Sequence, residues 1–461
     1  MSGFLSRWWG KGDGAAPDRG PATLPGTSAE ASPAPAAAAT PAPSAPARAR
    51  PSRASTAFVR REAVISRNQR IAGFEFSLGQ LAKEAPALPD DALLEELALA
   101  AGEDGALGAR LAFVPVALPA LSSPHLSRLP PENVVLMLGL PRNLQHLPDF
   151  VPAALARLRD QGFRLGMYVP PAREVMAACR PCLDFIAIDV TAFDGERLRN
   201  MAYGLKTVDD HPLEIIAWGL GTVEEFSLCF QRGFDYFQGP AVSLRESWKP
   251  GKGAASRMRV VQLLNQVRNN AEIMELAETL KQDPLLSFRI LRYINSPGIG
   301  LSTPVASIKH ALVVLGRDRF YRWLSLLLFT PQEDNFGEWL MVESALTRGR
   351  LMELLGHSRF PEDQRDHLFL AGSFSLLDKL LQLPMDKVVA QLTLPPTVAA
   401  LLLRREGPLA PWFALVEACE GRDGEAMEQA ARAVGCDPGK TNRALLAAMA
   451  WAHQVGDVGA E

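Results

Sequence analysis

Cysteine is scarce in this chain, charge is nearly balanced, and long apolar runs are missing. Five Cys in 461 residues make no disulfide framework, so a reducing compartment is expected. Fifty-one acidic against 48 basic residues leave a net charge of −3. That balance argues against a strongly basic working surface, and so against a nucleic-acid polymer as partner. No apolar run reaches the roughly 18 residues that span a bilayer, and no transmembrane segment is expected. The opening Met1-Ser2-Gly3-Phe4-Leu5-Ser6-Arg7-Trp8-Trp9 has no apolar signal region, which makes the cytoplasm the expected location. No phosphate-binding Gly loop and no GxSxG elbow occur. What is there, 48% hydrophobic and 21% charged residues, suits a soluble globular chain of two or three domains.

Residues 1–56 read as a disordered arm. Within 31–50 there are ten Ala and five Pro; the prolines interrupt any Ala helix, and no large apolar side chain offsets the ordering entropy. From 57 to about 250 short β-rich runs alternate with helical ones. Candidate strands are Phe58–Ile65, Arg70–Phe76, Arg110–Val116, Asn133–Leu138, Phe163–Val169, Asp184–Val190, Leu213–Trp218 and Tyr236–Phe237. Helical patterns at Asp149–Gln161, with Phe150, Ala154, Leu155 and Leu158 on one stripe, and at Glu224–Arg232 stop before Gly162 and Gly233. Eight strands with helices between them predict a closed (β/α) barrel, and the opening hairpin makes at least one strand antiparallel.

Beyond the Gly/Pro joint Lys249–Gly253 strand patterns cease, and 251–461 reads as all-α. Asp283-Pro284 is an N-cap followed by Pro at the first helical position. It opens a helix with Leu285, Leu286, Phe288, Ile290, Leu291 and Ile294, apolar enough on all sides to be expected inside a core. Thr303-Pro304 reads as a second such start, leading through Ile308, Ala311, Leu312 and Leu315 to a stop at Gly316; Asp318 reads as the next cap.

The stretch Arg61–Glu75 resembles the opening of EAL domains, the cyclic di-GMP phosphodiesterase fold. Gly162-Phe163-Arg164-Leu165, Asp184–Asp189, Ala217–Thr222 and Phe237-Gln238-Gly239-Pro240 follow in the family's order, so the resemblance covers about 58–246. EAL catalysis uses carboxylates at the strand ends to hold divalent metals that generate hydroxide. Carried over position by position, the signature keeps Glu75, and Gln238 is also kept. The other positions hold Pro115, Met137, Met167, Tyr168, Ala187 and Trp218. One carboxylate cannot do the work of five, so hydrolysis is expected to be absent and neither metal nor cofactor is implied. Glu75 and Gln238 are read as fold remnants, with metal-free cyclic di-GMP binding as an alternative. A phosphodiesterase with rearranged ligands would need Asp184, Asp189 or Glu214 to converge on Glu75.

The helical region resembles the HDOD family, a module related to HD hydrolases that lacks their metal site. The resemblance rests on Val261–Leu264, Asp283–Ser287, Ile294–Pro297 and Val305–Gly316, with Asn295, Ser307 and Gly316 as motif positions. Ala371–Asp378 places Ser375 and Leu376 where an HD hydrolase has its His-Asp pair. His357 and His367 are ten residues apart, no helical ligand spacing, and read as surface or capping residues. Asn295 reads as a cap or turn residue and His310 as packed or half-exposed. Cys179 and Cys182 read as two packed thiols, and Arg348/Arg350 and Arg404/Arg405 as solvated pairs. An arm, a degenerate EAL domain and an HDOD domain in that order look like bacterial EAL-HDOD signalling proteins. The resemblance implies a non-catalytic role through protein contacts, in control of motility, biofilm or cyclic di-GMP output.

Overall fold

A computed structural model describes residues 57–458, apart from 69, 80–90, 102–106, 108–109, 142–143, 169–171, 208–211, 244–253, 297–298, 300–302, 330–335 and 422. The expected arm and the Gly/Pro joint lie outside the described residues. Eight strands close into a barrel in sequence order: β1 (Val59–Ser66), β2 (Ile71–Leu78), β3 (Leu111–Val116), β4 (Val134–Leu138), β5 (Arg164–Tyr168), β6 (Phe185–Asp189), β7 (Glu214–Trp218) and β8 (Tyr236–Phe237). β1 runs antiparallel to both its neighbours, β2 and β8, and every other pair is parallel. Around it lie α1 (Ala92–Ala101), α2 (Phe150–Asp160), α3 (Arg173–Cys179), α4 (Gly195–Thr207), α5 (Val223–Gln231) and α6 (Pro240–Ser243). On α2 the stripe is turned by one residue from expectation: Val151, Ala154, Leu155 and Leu158 are buried and Phe150 is half exposed. Gly162 and Gly233 end the two helices at positive φ, +94° and +88°, as a left-handed cap requires.

The second region is helical throughout the described residues. Its first half holds α7 (Ala254–Arg268), α8 (Ile273–Lys281), α9 (Pro284–Ile294), α10 (Ile308–Leu315) and α11 (Arg317–Leu327). Then come α12 (Phe336–Gly356), α13 (Glu362–Phe374), α14 (Leu377–Leu381) and α15 (Met385–Ala390). The chain closes with α16 (Pro396–Arg404), α17 (Ala410–Glu420), α18 (Gly424–Val434) and α19 (Pro438–Val458). Asp283 caps α9 by accepting from the amides of Leu285 and Leu286. The helix is not core on all sides, however. Leu286, Ile290, Tyr293 and Ile294 are buried, while Leu285 and Phe288 are 50% and 60% exposed.

Two helix starts differ from the sequence reading. The cap of α10 is Ser307, which accepts from the amide of His310, not Thr303. The reason is Asn295: its amide donates to the carbonyl of Val305 and its oxygen accepts from the Val305 amide, at 2.8 and 2.7 Å. Held on both sides, residue 305 stays extended and the helix begins later. Gly316 at φ +76° ends α10 and caps α11, leaving Asp318 in the first turn.

Barrel and helices share one continuous apolar core. Its seam carries a buried polar knot. The Asn442 oxygen accepts from the Val59 amide at 2.9 Å, and its amide donates to the Ala57 carbonyl and to Glu96. Arg110 reaches Glu343 at 2.9 Å across the same seam, and the Arg70 guanidinium lies 5.1 Å from the Trp339 ring centre. Among the described residues, no helix is long and apolar enough to cross a membrane.

Removing Asn442 orphans a backbone donor and a backbone acceptor in the interior. We expect Asn442→Ala to lower stability by about 2–4 kcal/mol, with barrel and helices still unfolding together. Thermal unfolding followed by circular dichroism and tryptophan fluorescence checks this. A change under about 0.5 kcal/mol would show that the knot does not join the two regions.

Candidate functional site

Alternation along the strands decides which side chains enter the barrel. Val64, Phe113, Val135, Met137, Phe185, Ala187 and Ile216 fill its interior, each at most 2% exposed. Met137 lies over Gly166 of the neighbouring strand β5: a Cβ there would come within 2.3 Å of the Met137 sulfur. Glycine there makes room for the methionine side chain. Pro115 shares the inward face of β3 with Phe113, opposite Met137. Met167 is elsewhere: it is fully buried in the outer core, so of the two residues considered at this level only Tyr168 enters the site.

At the C-terminal mouth the remaining groups meet. Tyr168 donates to one oxygen of Glu75 at 2.5 Å, and the Gln238 amide donates to the other. The Trp218 indole also hydrogen-bonds Glu75, and its ring meets Tyr168 edge-on at 5.7 Å between centres. The backbone holds Gln238 in place. Its amide donates to Ala217 and its carbonyl accepts from Leu220. At Gly239 (φ +143°) an added Cβ would sit 2.3 Å from the Leu220 nitrogen, so only glycine lets the loop after β7 come this close.

The carboxylates that a rearranged metal site would need are committed elsewhere. Asp184 accepts from the Leu165 amide, Asp189 turns back onto Thr191, and Glu214 pairs with Arg164 and accepts from Tyr236. Among the described residues, no group of three or more His, Cys, Asp or Glu is placed to hold a metal ion. Gln238 itself is 4% exposed.

The helical region has its own altered position. Ser375 is buried and accepts from Arg348 at 2.8 Å, while Arg348 forms a two-pronged pair with Glu420 at 2.9 and 2.7 Å. Arg348 is 3% exposed and Arg350 pairs with Glu353, so neither is solvated as the sequence suggested. Arg404 and Arg405 are exposed. The signal for Arg348 was its partners, but they stand 27 and 72 residues away. Leu376 is core; His357 is exposed, and His367 contacts Thr397. His310 is exposed. Cys179 is buried and Cys182 half-buried at a helix end, and burial pushes the Cys179 thiol up to about 11.

Residues 254–374 match the family model of the HDOD domain. Over 425 residues the chain is 25% identical to the cyclic di-GMP phosphodiesterase CdgJ of Vibrio cholerae, covering 87% of this chain and 93% of that one. It is also 25% identical over 325 residues to YuxH, an uncharacterized protein of Bacillus subtilis, covering 68% and 78%. Among solved structures, an EAL domain protein from Listeria monocytogenes is similar at 14% identity and a TM-score of 0.33, over 40% of this chain and 86% of that one. The chain thus joins a closed eight-stranded barrel to a helical region that carries the match to the HDOD domain.

Burial raises the Glu75 carboxyl above its ordinary range; the Tyr168, Gln238 and Trp218 hydrogen bonds oppose this, and the nearby Glu62 charge adds to it. A raised acid contributes its full stability below the unfolded value of about 4.3 and loses it as pH rises through the folded one. We therefore expect the stability of Glu75→Gln relative to wild type to increase as pH rises above the unfolded value of about 4.3. Parallel melting curves measure it, and a difference that falls with pH would mean that the site favours the ionised form.

Proposed function

We propose that this protein is a non-catalytic signal-transduction or scaffold protein in cyclic di-GMP-linked regulation, working in the cytoplasm through protein contacts of its HDOD domain. The observation that carries the reading is the state of Glu75. It is the one carboxylate at the ligand positions carried over from EAL domains, and Tyr168, Gln238 and Trp218 occupy both its oxygens. A divalent cation held there would have to break those bonds, and the carried-over positions beside it hold Tyr168, Ala187 and Trp218 in place of carboxylates, with Glu62 of the paired strand as the nearby acidic charge. Four of the large apolar side chains that stay exposed, Met274, Leu285, Phe288 and Val313, fall on α8, α9 and α10, which pack on one another. That surface supports a role through protein contacts. Control of motility or biofilm is the output that the resemblance implies.

The name of CdgJ favours a second reading, in which this chain too is a cyclic di-GMP phosphodiesterase. The two separate cleanly. Purified protein incubated with cyclic di-GMP and Mg²⁺ or Mn²⁺ is expected to leave the nucleotide intact. Linear product that accumulates with protein concentration and disappears in Glu75→Gln would replace the scaffold reading with the enzymatic one.

A further inference from the structure

Away from the barrel mouth and from the Arg348–Ser375 contact, a cavity of about 410 Å³ opens in the HDOD domain. Its walls are the C-terminal end of α7, the exposed side of α11 and the middle of α13. Small-molecule sites typically fall between roughly 300 and 1,000 Å³.

Three arginines line it, and their partners distinguish them. Arg322 is paired with two carboxylates, Glu353 at 2.7 Å and Asp366 at 3.1 Å. Arg268 forms no ion pair among the described residues; its guanidinium lies 5.5 Å from the Tyr321 ring centre, held against one wall. Arg317, in the first turn of α11, has a buried Nη1 with no hydrogen-bond partner. With the Arg322–Asp366 pair self-neutralised, Arg268 and Arg317 face the single carboxylate of Asp318. The cap of α11 is Gly316, which offers no side-chain acceptor to the first-turn amides.

We propose that this cavity binds a small phosphorylated metabolite of the mononucleotide class, with Arg268 and Arg317 on the phosphate. Two guanidinium groups without carboxylate partners suit a phosphate, which accepts several charge-assisted hydrogen bonds at once. A bare phosphate would leave most of the volume empty and would set its charge near Asp318. A nucleotide answers both points: its sugar hydroxyls donate to a carboxylate, and its base offers an aromatic face to the Tyr321 wall. Tyr321 keeps its proton at neutral pH, since burial pushes its hydroxyl up to about 12.

The test is calorimetric titration of the full chain with GMP, AMP, guanosine and inorganic phosphate. At least one mononucleotide should bind saturably, with its nucleoside and free phosphate each weaker by about tenfold or more. Arg317→Gln and Arg268→Gln should each weaken binding about tenfold, while Arg317→Lys, which keeps the charge, should retain part of it. Melting curves of each variant verify folding. Absence of saturable binding by either mononucleotide overturns the proposal. So does binding that survives in both Arg→Gln variants, or binding lost instead in Glu75→Gln, which would place the ligand in the barrel.

Discussion

The side chain of Asn442 is the constraint on which the arrangement of the two regions depends. It sits 1% exposed on the last helix and takes both hydrogen-bonding groups of the backbone entering the first strand, the Ala57 carbonyl and the Val59 amide. Glu96 closes the knot from α1 by accepting from Ala57 and Asn442. A buried backbone segment must satisfy its polar groups, and here the partner lies 383 residues away in sequence. β1 is also the only antiparallel strand of the barrel, so fixing it fixes the strand that closes the ring between β2 and β8. The shared core continues from there, where α19 and α1 pack on each other.

The interiors of the two regions are filled by different means. In the barrel the filling is volume: Met137 over Gly166, Ala187 within the apolar interior, Trp218 against Tyr168. Glu75 at its mouth is bonded by neutral donors, with the Glu62 charge on the paired strand. In the HDOD domain the filling is charge. Arg348 places a permanent cation between Ser375 and Glu420, so an immobile guanidinium organises the oxygen groups there. The barrel solution leaves a group whose protonation is favoured by burial, whereas the helical solution leaves an ion pair that Glu420 keeps charged despite burial.

Much of the barrel was legible because its signals are local. Alternation of apolar residues, glycines at helix ends and the short Tyr236-Phe237 strand can all be read within a few residues, and the boundaries agree to within about two. What was not legible depended on distant partners. Thr303-Pro304 and Asp283-Pro284 are equivalent as sequence, but Asn295 holds residue 305 extended and so delays only the first of them. The exposed faces of Leu285 and Phe288 were hidden for the opposite reason. Apolar composition says that a face avoids water, not which part of the molecule will cover it. Tyr168 could be placed near the ligand level, but not distinguished from its outward neighbour Met167 without the strand register.

The same alternation sets how closely the two regions are connected. β2 presents Glu75 inward, while Phe74 and Phe76 point outward into the shared core and line a small cavity with Arg110, Glu343 and Met449. Glu343 lies on α12, inside the helical region, and Arg110 bonds both it and the Ile71 carbonyl at the start of β2. Neighbouring residues of one strand thus form the barrel's last carboxylate site and its contact with the helices. A strand cannot rotate about its axis to release Glu75 without turning Phe74 and Phe76 out of their packing. In a densely packed interior such a rotation is resisted by every neighbour at once. The geometry therefore ties the state of Glu75 to the seam, whatever occupies the barrel mouth.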